Sequence, residues 1–359
     1  MKVLLIGGTG TISSYITVQL WATGHDVFLV NRGNKSKFIQ ELCKKYYTTQ
    51  KRGTITELIA NCYDKEELQK VAYSVLKNGE KFDVVADFIA YNTDHIEKDI
   101  DIFRNITHQY LFISSASAYQ TPLSDFRITE GTPLSNPLWE YSRNKIACED
   151  LLLKAYREEG FPITIVRPSH TYDERSVPLG VHGHNGSWQV IKRIKEEKPV
   201  IIHGDGTSLW TMTHSEDFAK GFCCLLGNIH AIGETVHITS DESLTWNQIY
   251  ESIAKSLGVK LKAVHISSEF LASSSNYDFT GSLLGDKANS VYFNNAKLKL
   301  LVPDFCATIR FDQGVKRVLD YLLAHLELQK DDPDFDAWCD AVIDAINSAK
   351  EKVKNNFCL

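Results

Sequence analysis

The sequence predicts an α/β protein built on a doubly wound parallel sheet, with a smaller mixed α/β region in its second half. Three observations carry that prediction. Apolar runs rich in β-branched residues alternate with helical patterns through the first half of the 359-residue chain. A glycine-rich turn directly follows the first run. The alternation then breaks after about Arg167.

Val3–Ile6, Val27–Val30, Thr54–Ile59, Val84–Ile89, Tyr110–Ile113 and Ile163–Val166 read as short buried strands. Between the first two, Ile12, Ile16 and Leu20 recur at helical spacing, and Gly24 stands where a helix should stop. Near-continuous apolar strands separated by helices imply a parallel sheet covered on both faces. Residues 171–208 are rich in Gly, His and Pro, with one helix expected around Gln189–Lys198. A helix Asp217–Leu226 and a strand Glu234–Ile238 look like a return to the first domain, and the Ser-rich stretch Ser267–Ser275 reads as a loop. Asp332-Pro333 opens a last helix, in which Phe335, Trp338, Val342, Ile346, Ala349 and Val353 form an apolar row. That row must dock on its own subunit or on a second copy, as in a homodimer. The domain expectation is therefore 1–170 with about 209–240 as a dinucleotide-binding domain, 171–208 with 241–328 as a substrate domain, and 329–359 as a C-terminal amphipathic helix.

Composition narrows the class. With 39 basic and 45 acidic side chains the chain carries a net charge of −6, and it is 43% hydrophobic. These values fit a globular protein of about two domains and give no general attraction to nucleic acid or anionic membrane. No run approaches the ~20 apolar residues needed to span a bilayer. The N-terminus reaches glycine too soon for a secretory signal. The eight cysteines, Cys358 among them, show neither C-x-x-C pairs nor a disulfide framework. Together these features predict a cytoplasmic protein with free thiols.

Gly7-Gly8-Thr9-Gly10-Thr11-Ile12-Ser13 lies between the first strand and the first helix. Such a turn lets the backbone approach a pyrophosphate, while the helix N-terminus offers N–H groups and a positive dipole end. Its place ahead of a second strand near residue 27 makes it a Rossmann-type dinucleotide turn. Ser13 stands where the third glycine is usual. The second strand ends Val30-Asn31-Arg32-Gly33, without the acid that binds the ribose hydroxyls of NAD. Arg32 suits the 2′-phosphate of NADP, so NAD(P) is the expected cofactor, with NADP favoured.

Tyr141 and Lys145 stand four apart, on one face of a helix. Tyr47/Lys51 and Tyr73/Lys77 share the spacing, but only 141/145 follows a buried strand that runs into Ser114-Ser115-Ala116-Ser117. Strand carboxyl ends carry the ligand site of a parallel sheet, which would bring Ser115 and Ser117 beside the cofactor. A free tyrosine titrates near 10; a neighbouring ammonium favours phenolate and moves it toward a working range. Ser115 would hold the reacting oxygen by a hydrogen bond.

On these residues the chain resembles the short-chain dehydrogenase/reductase superfamily in its extended and atypical branches, the NAD-dependent epimerase/dehydratase family. Val166-Arg167-Pro168, Gly204-Asp205-Gly206 and His214-Ser215-Glu216-Asp217 add to the likeness, which runs from residue 1 to about 325. The resemblance implies a dinucleotide in the N-terminal domain and a sugar or similar carbonyl compound under the C-terminal one. It implies that Pro168 and the strand end Phe88–Ala90 meet the nicotinamide half, and that Asn61-Cys62 lie near the adenine. Asn61 stands where many members carry Asp.

Two departures narrow the reaction. Nucleotide-sugar dehydratases of the superfamily carry an Asp-Glu pair after the catalytic hydroxyl residue; here Ala116 and Ser117 stand there, which argues against dehydration by that route. Members that clamp a diphosphate often use an Arg after Gly-Asp-Gly; here Trp210 stands in that segment, which widens the substrate class to free sugars, sugar acids and glycosides. Trp188 and Trp210 could offer ring faces to a sugar, while Trp246 reads as core. His182-Gly183-His184 lacks a third metal ligand and reads as a substrate loop, so no metal is expected. An epimerase and a dehydrogenase would use the same trio. The alternative is a non-catalytic member binding dinucleotide and RNA; some atypical members, including chloroplast stem-loop RNA-binding proteins whose N-terminal turn and Asn-Arg-Gly strand end look similar, are associated with RNA. RNA binding wants a basic face with interleaved aromatics, and the cluster Lys35, Lys37, Lys44, Lys45, Lys51 and Arg52 is a short one.

Overall fold

A computed structural model describes residues 1–33, 36–46 and 52–357. Lys35 and Lys51 of the basic cluster, Tyr47 and Cys358 lie outside the described residues. The chain divides into two compact units: unit 1 is Met1–Thr171, Thr211–Asp241 and Phe293–Thr308, and unit 2 is Tyr172–Trp210, Glu242–Tyr292 and Ile309–Leu359.

Unit 1 is the doubly wound α/β layer. Its strands are β1 (Lys2–Ile6), β2 (Asp26–Asn31), β3 (Thr54–Ile59), β4 (Val84–Asp87), β5 (Tyr110–Ile113), β6 (Ile163–Pro168) and β7 (Thr235–Ile238). They form one seven-stranded sheet in the order β7-β6-β5-β4-β1-β2-β3, and every neighbouring pair is parallel. The order reverses between β1 and β4, where Ile6 pairs with Val30 on one side and Asp87 on the other. That is the switch point at which a ligand crevice opens past the strand ends. Helices α1 (Ser13–Ala22), α2 (Ser36–Lys45), α3 (Lys65–Ser74), α4 (Thr93–Phe103) and α5 (Glu140–Glu159) supply the crossovers. Leu4, Val85, Phe103, Tyr110, Phe112, Leu152 and Ile165 pack in one core cluster beneath them.

Two sequence expectations change here. The strand expected over Val84–Ile89 stops at Asp87, because the Asp87 carboxylate takes the next free amides, those of Ile89 (2.6 Å) and Ala90 (2.9 Å), and turns the chain. Residues 293–308, read as substrate domain, cluster with unit 1. The Asn295 side chain donates to the Thr239 carbonyl and to Asp241, tying this segment to the end of β7.

Unit 2 is smaller and mixed. A parallel pair, Val200–His203 with Ala263–Ile266, packs with helices Trp188–Lys195, Trp246–Leu257 and Phe311–Ala324. The Ser-rich stretch is not a loop: Ser268–Ser273 is a helix, capped by the Ser267 hydroxyl accepting from the Phe270 amide, with Leu271 buried. The C-terminal helix Pro333–Phe357 starts where Asp332 accepts from the Phe335 amide. Phe335, Cys339, Val342 and Ile343 are buried, and the buried Arg193 guanidinium bonds Asp336 and Asp340. Further on the apolar row is uncovered, and Val353 is 53% exposed. Among the described residues no helix is long and apolar enough to cross a membrane.

Candidate active site

The turn after β1 is closed by its own side chains. The Ser13 hydroxyl accepts from the Gly10 amide (2.9 Å) and donates to the Gly7 carbonyl (2.7 Å). Ser13 thus organises the turn where a third glycine would only have spared room. Gly8 supplies the close packing: a Cβ there would sit 2.6 Å from Leu29 Cδ2. Gly7 has φ of +83° and its amide bonds the Val30 carbonyl. Thr11 is exposed and Ile12 half-buried at the entry to α1. No acid occupies the first turn of α1, so its positive end is uncompensated from within the helix.

Gly7, Thr9, Gly10, Asn31, Arg32, Asn61 and Cys62 line one cavity of about 200 Å³. It fits the adenine end of a dinucleotide. At Gly10 a Cβ would meet only ordinary contacts, leaving the glycine face open, and the buried Asn31 amide nitrogen has no bonding partner among the described residues. Asn31 Oδ1 accepts from the Gly33 amide at 2.6 Å, and Arg32 stays exposed at the rim. Burial pushes the Cys62 thiol up, so it is a neutral wall and not a nucleophile. Sequence reasoning missed Tyr63, which lines the same cavity and stacks on His95 with centroids 4.6 Å apart. An aromatic directly after Asn61-Cys62 was the available signal.

The second cluster forms where β4 and β5 end against α5. Asn136 accepts from the Leu138 and Trp139 amides and donates to the Ser117 carbonyl, locking the entry of α5 to the serine turn. Tyr141 follows, half-buried, its ring 5.0 Å from Trp139 and 6.3 Å from Tyr91. One turn on, Lys145 is buried. Its ammonium donates to the carbonyls of Ala90 (2.7 Å) and Ile113 (2.8 Å) and lies 5.8 Å from the Tyr141 ring centroid. Burial lowers its pKa to about 8, opposed first by the charge of Asp87. Ser142 donates to Ser117 Oγ at 2.7 Å, and Ser117 Oγ lies 2.8 Å from Ser115 Oγ. With Ser142 supplying a proton to Ser117, the Ser117 hydroxyl can give its own to Ser115, which keeps one for a ligand oxygen.

Of the nicotinamide-side expectations, Ala90 contributes the carbonyl that holds Lys145. Phe88 packs on Phe222 at 5.5 Å, and Pro168 ends β6. The remaining candidates belong to unit 2 and are engaged within it. His182 Nδ1 lies 2.9 Å from the Gly183 carbonyl, and His184 meets Tyr277. The Trp188 indole donates to Asp331. Trp210 is buried against Trp246, itself fully enclosed.

Residues 3–239 match the family described as the NAD dependent epimerase/dehydratase family. The chain belongs to that family. It is 24% identical to 2′-dehydrokanamycin reductase of Streptomyces kanamyceticus over 76% of this chain and 71% of the relative. It is 26% identical to an uncharacterized UDP-glucose epimerase of Bacillus subtilis, over 77% of this chain and 88% of the relative. The UDP-glucose 4-epimerase of Bifidobacterium longum, solved with NAD+ and UDP, superposes with a TM-score of 0.70 at 17% identity. That match covers 91% of this chain and 99% of the other, and it shows the shared fold.

Proposed function

We propose that this family member is an NAD(P)-dependent oxidoreductase or epimerase acting on a sugar-like alcohol or carbonyl through Tyr141, Lys145 and Ser115. The observation that carries this reading is the buried Lys145 ammonium beside the Tyr141 ring, fixed by two carbonyls. A positive charge held there favours the phenolate of Tyr141, which then takes the substrate hydroxyl proton. In the reductive direction the same phenol returns it. Ser115 donates to the substrate oxygen and orients it.

Gly7, Thr9, Gly10, Asn31, Arg32, Asn61, Cys62 and Tyr63 would hold the adenine end of the dinucleotide, and Ala90, Lys145 and Pro168 would border its nicotinamide end. When bound, the nicotinamide accepts or returns the hydride. Arg32 at the rim, with no acid at the end of β2, supports a preference for NADP. One relative is named for a dehydrokanamycin and another for UDP-glucose, so the substrate panel should hold glycosides and nucleotide sugars alike.

The test has two stages. Nucleotide released by denaturation is identified: tightly held oxidised cofactor indicates an epimerase, an empty site a dehydrogenase or reductase. A panel of sugars, sugar acids, glycosides and nucleotide sugars is then screened with NAD and NADP. Turnover lost in Tyr141→Phe is the expected result. Failure of both NAD and NADP to bind in calorimetry overturns the proposal.

A further inference from the structure

We propose that Asp87 is the positioning residue for Lys145: its carboxylate holds the turn whose Ala90 carbonyl anchors the ammonium and supplies the negative charge that faces it, with Asp99 as a neutral partner. The inference rests on the reading of Lys145 as a site residue.

Asp87 ends β4, buried at the switch point. Its Oδ1 accepts the amides of Ile89 and Ala90, at 2.6 and 2.9 Å. Those two bonds fix the peptides on the N-terminal side of the Ala90 Cα; the next peptide, whose Tyr91 amide donates to His95 Nδ1 at 3.1 Å, carries the Ala90 carbonyl that accepts Lys145 Nζ at 2.7 Å. A shift of this turn therefore moves the ammonium.

Around Lys145 stand Asp87 from β4, Tyr91 and Phe112 with ring centroids 4.9 and 4.8 Å from Nζ, His95 from α4, and Tyr141, Cys148 and Glu149 from α5 itself. Burial pushes the Cys148 thiol up to about 12, so it carries no charge at neutral pH. Glu149 is committed to Arg167. Asp87 is left as the anion that answers the buried ammonium.

Asp99 on α4 is the second buried acid at this point. Its carboxyl accepts the Tyr110 hydroxyl at 2.7 Å and has Lys98 Nζ at 3.3 Å. Burial first, then the charge of Asp87, holds its carboxyl well above the usual range. Asp99 is thereby held in its neutral form.

Protein labelled with ¹³Cε-lysine tests this, the Lys145 resonance being assigned by its loss in Lys145→Arg. In the wild type it should titrate near 8. Asp87→Asn keeps an oxygen for the two amides but removes the charge, and should lower the midpoint by about 1 pH unit. Asp99→Asn exchanges one neutral group for another and should leave the midpoint in place. NADP affinity should follow the same order, weakening at lower pH in Asp87→Asn than in the wild type, because the ammonium is protonated only below its pKa. An unmoved midpoint in Asp87→Asn overturns the proposal. A shifted midpoint in Asp99→Asn refutes the neutral partner. Should Lys145→Met leave NADP affinity unchanged at pH 7, the functional reading of Lys145 fails while the Asp87–Lys145 coupling stands.

Discussion

Arg167 and Glu149 form a buried ion pair, with Arg167 Nε 2.9 Å from Glu149 Oε1 and side chains 3% and 0% exposed. Glu149 lies one turn beyond Lys145 on α5, Arg167 is on β6, and the Ser114 hydroxyl also donates to Glu149. The pair therefore fixes the helix that carries Tyr141 and Lys145 to the strand ends that carry Ser115. The i, i+4 step from Lys145 to Glu149 and the Val166-Arg167-Pro168 run were both visible in the sequence; their pairing was not.

Arg167→Met strands a buried carboxylate without its cation. It should cost about 3–5 kcal/mol of stability, read as a lower urea midpoint. The double variant Glu149→Met/Arg167→Met should recover part of that loss, because neither charge then remains buried. A single variant as stable as wild type would mean the pair contributes nothing net.

Gly10→Val separates binding from folding. A Cβ at Gly10 meets Ser13 Oγ at 3.5 Å and the Gly7 carbonyl at 3.8 Å, ordinary contacts that the fold tolerates. The added methyls fill the cavity face where the pyrophosphate should pass, so dinucleotide binding should be lost while the melting temperature holds. Gly8→Ala should do the reverse, destabilising the fold through the 2.6 Å approach to Leu29. Unchanged calorimetric affinity in Gly10→Val would remove the turn from the cofactor site.

Arg32→Ala tests cofactor choice. Arg32 is exposed at the rim of the cavity, so little packing is lost with it. If it pairs with a 2′-phosphate, NADP should weaken by about 1.5–3 kcal/mol and NAD hardly at all. Equal losses would mean that Arg32 stacks on adenine.

The strands of unit 1 were legible because buried parallel strands are near-continuous apolar runs, and the glycine turn because it stands between two such elements. What escaped was set by backbone atoms and distant partners. The end of β4 depends on which amides Asp87 captures, and apolar Ile89 and Ala90 gave no sign of it. Lys145 is held by two main-chain carbonyls, which have no sequence signature. Ser267–Ser275 looked like a loop by composition, yet Ser267 is a helix cap and Leu271 is its buried anchor. The apolar row of the last helix was read as one docking face, whereas burial ends near Ile343.

The proposed trio gives the most demanding prediction. Tyr141→Phe removes one hydroxyl and keeps the ring that packs on Trp139 and Tyr91, so the fold should survive while turnover drops roughly 10²–10⁴-fold. Lys145→Met should reduce both rate and cofactor affinity, since the same ammonium tunes the phenol and borders the dinucleotide. Ser115→Ala should lower rate more than cofactor affinity, because its proton serves the substrate oxygen. Ser142→Ala acts one step back: Ser117 loses the donor that lets it supply Ser115, and the loss should be about 1 kcal/mol, roughly fivefold in rate. These losses should not add, because the groups act as one unit; the double variant Tyr141→Phe/Ser115→Ala should be little slower than Tyr141→Phe. Single-turnover rates with whichever sugar the screen identifies would measure each step. Near wild-type turnover in Tyr141→Phe would exclude Tyr141 as the acid–base group and with it the mechanism proposed for this site.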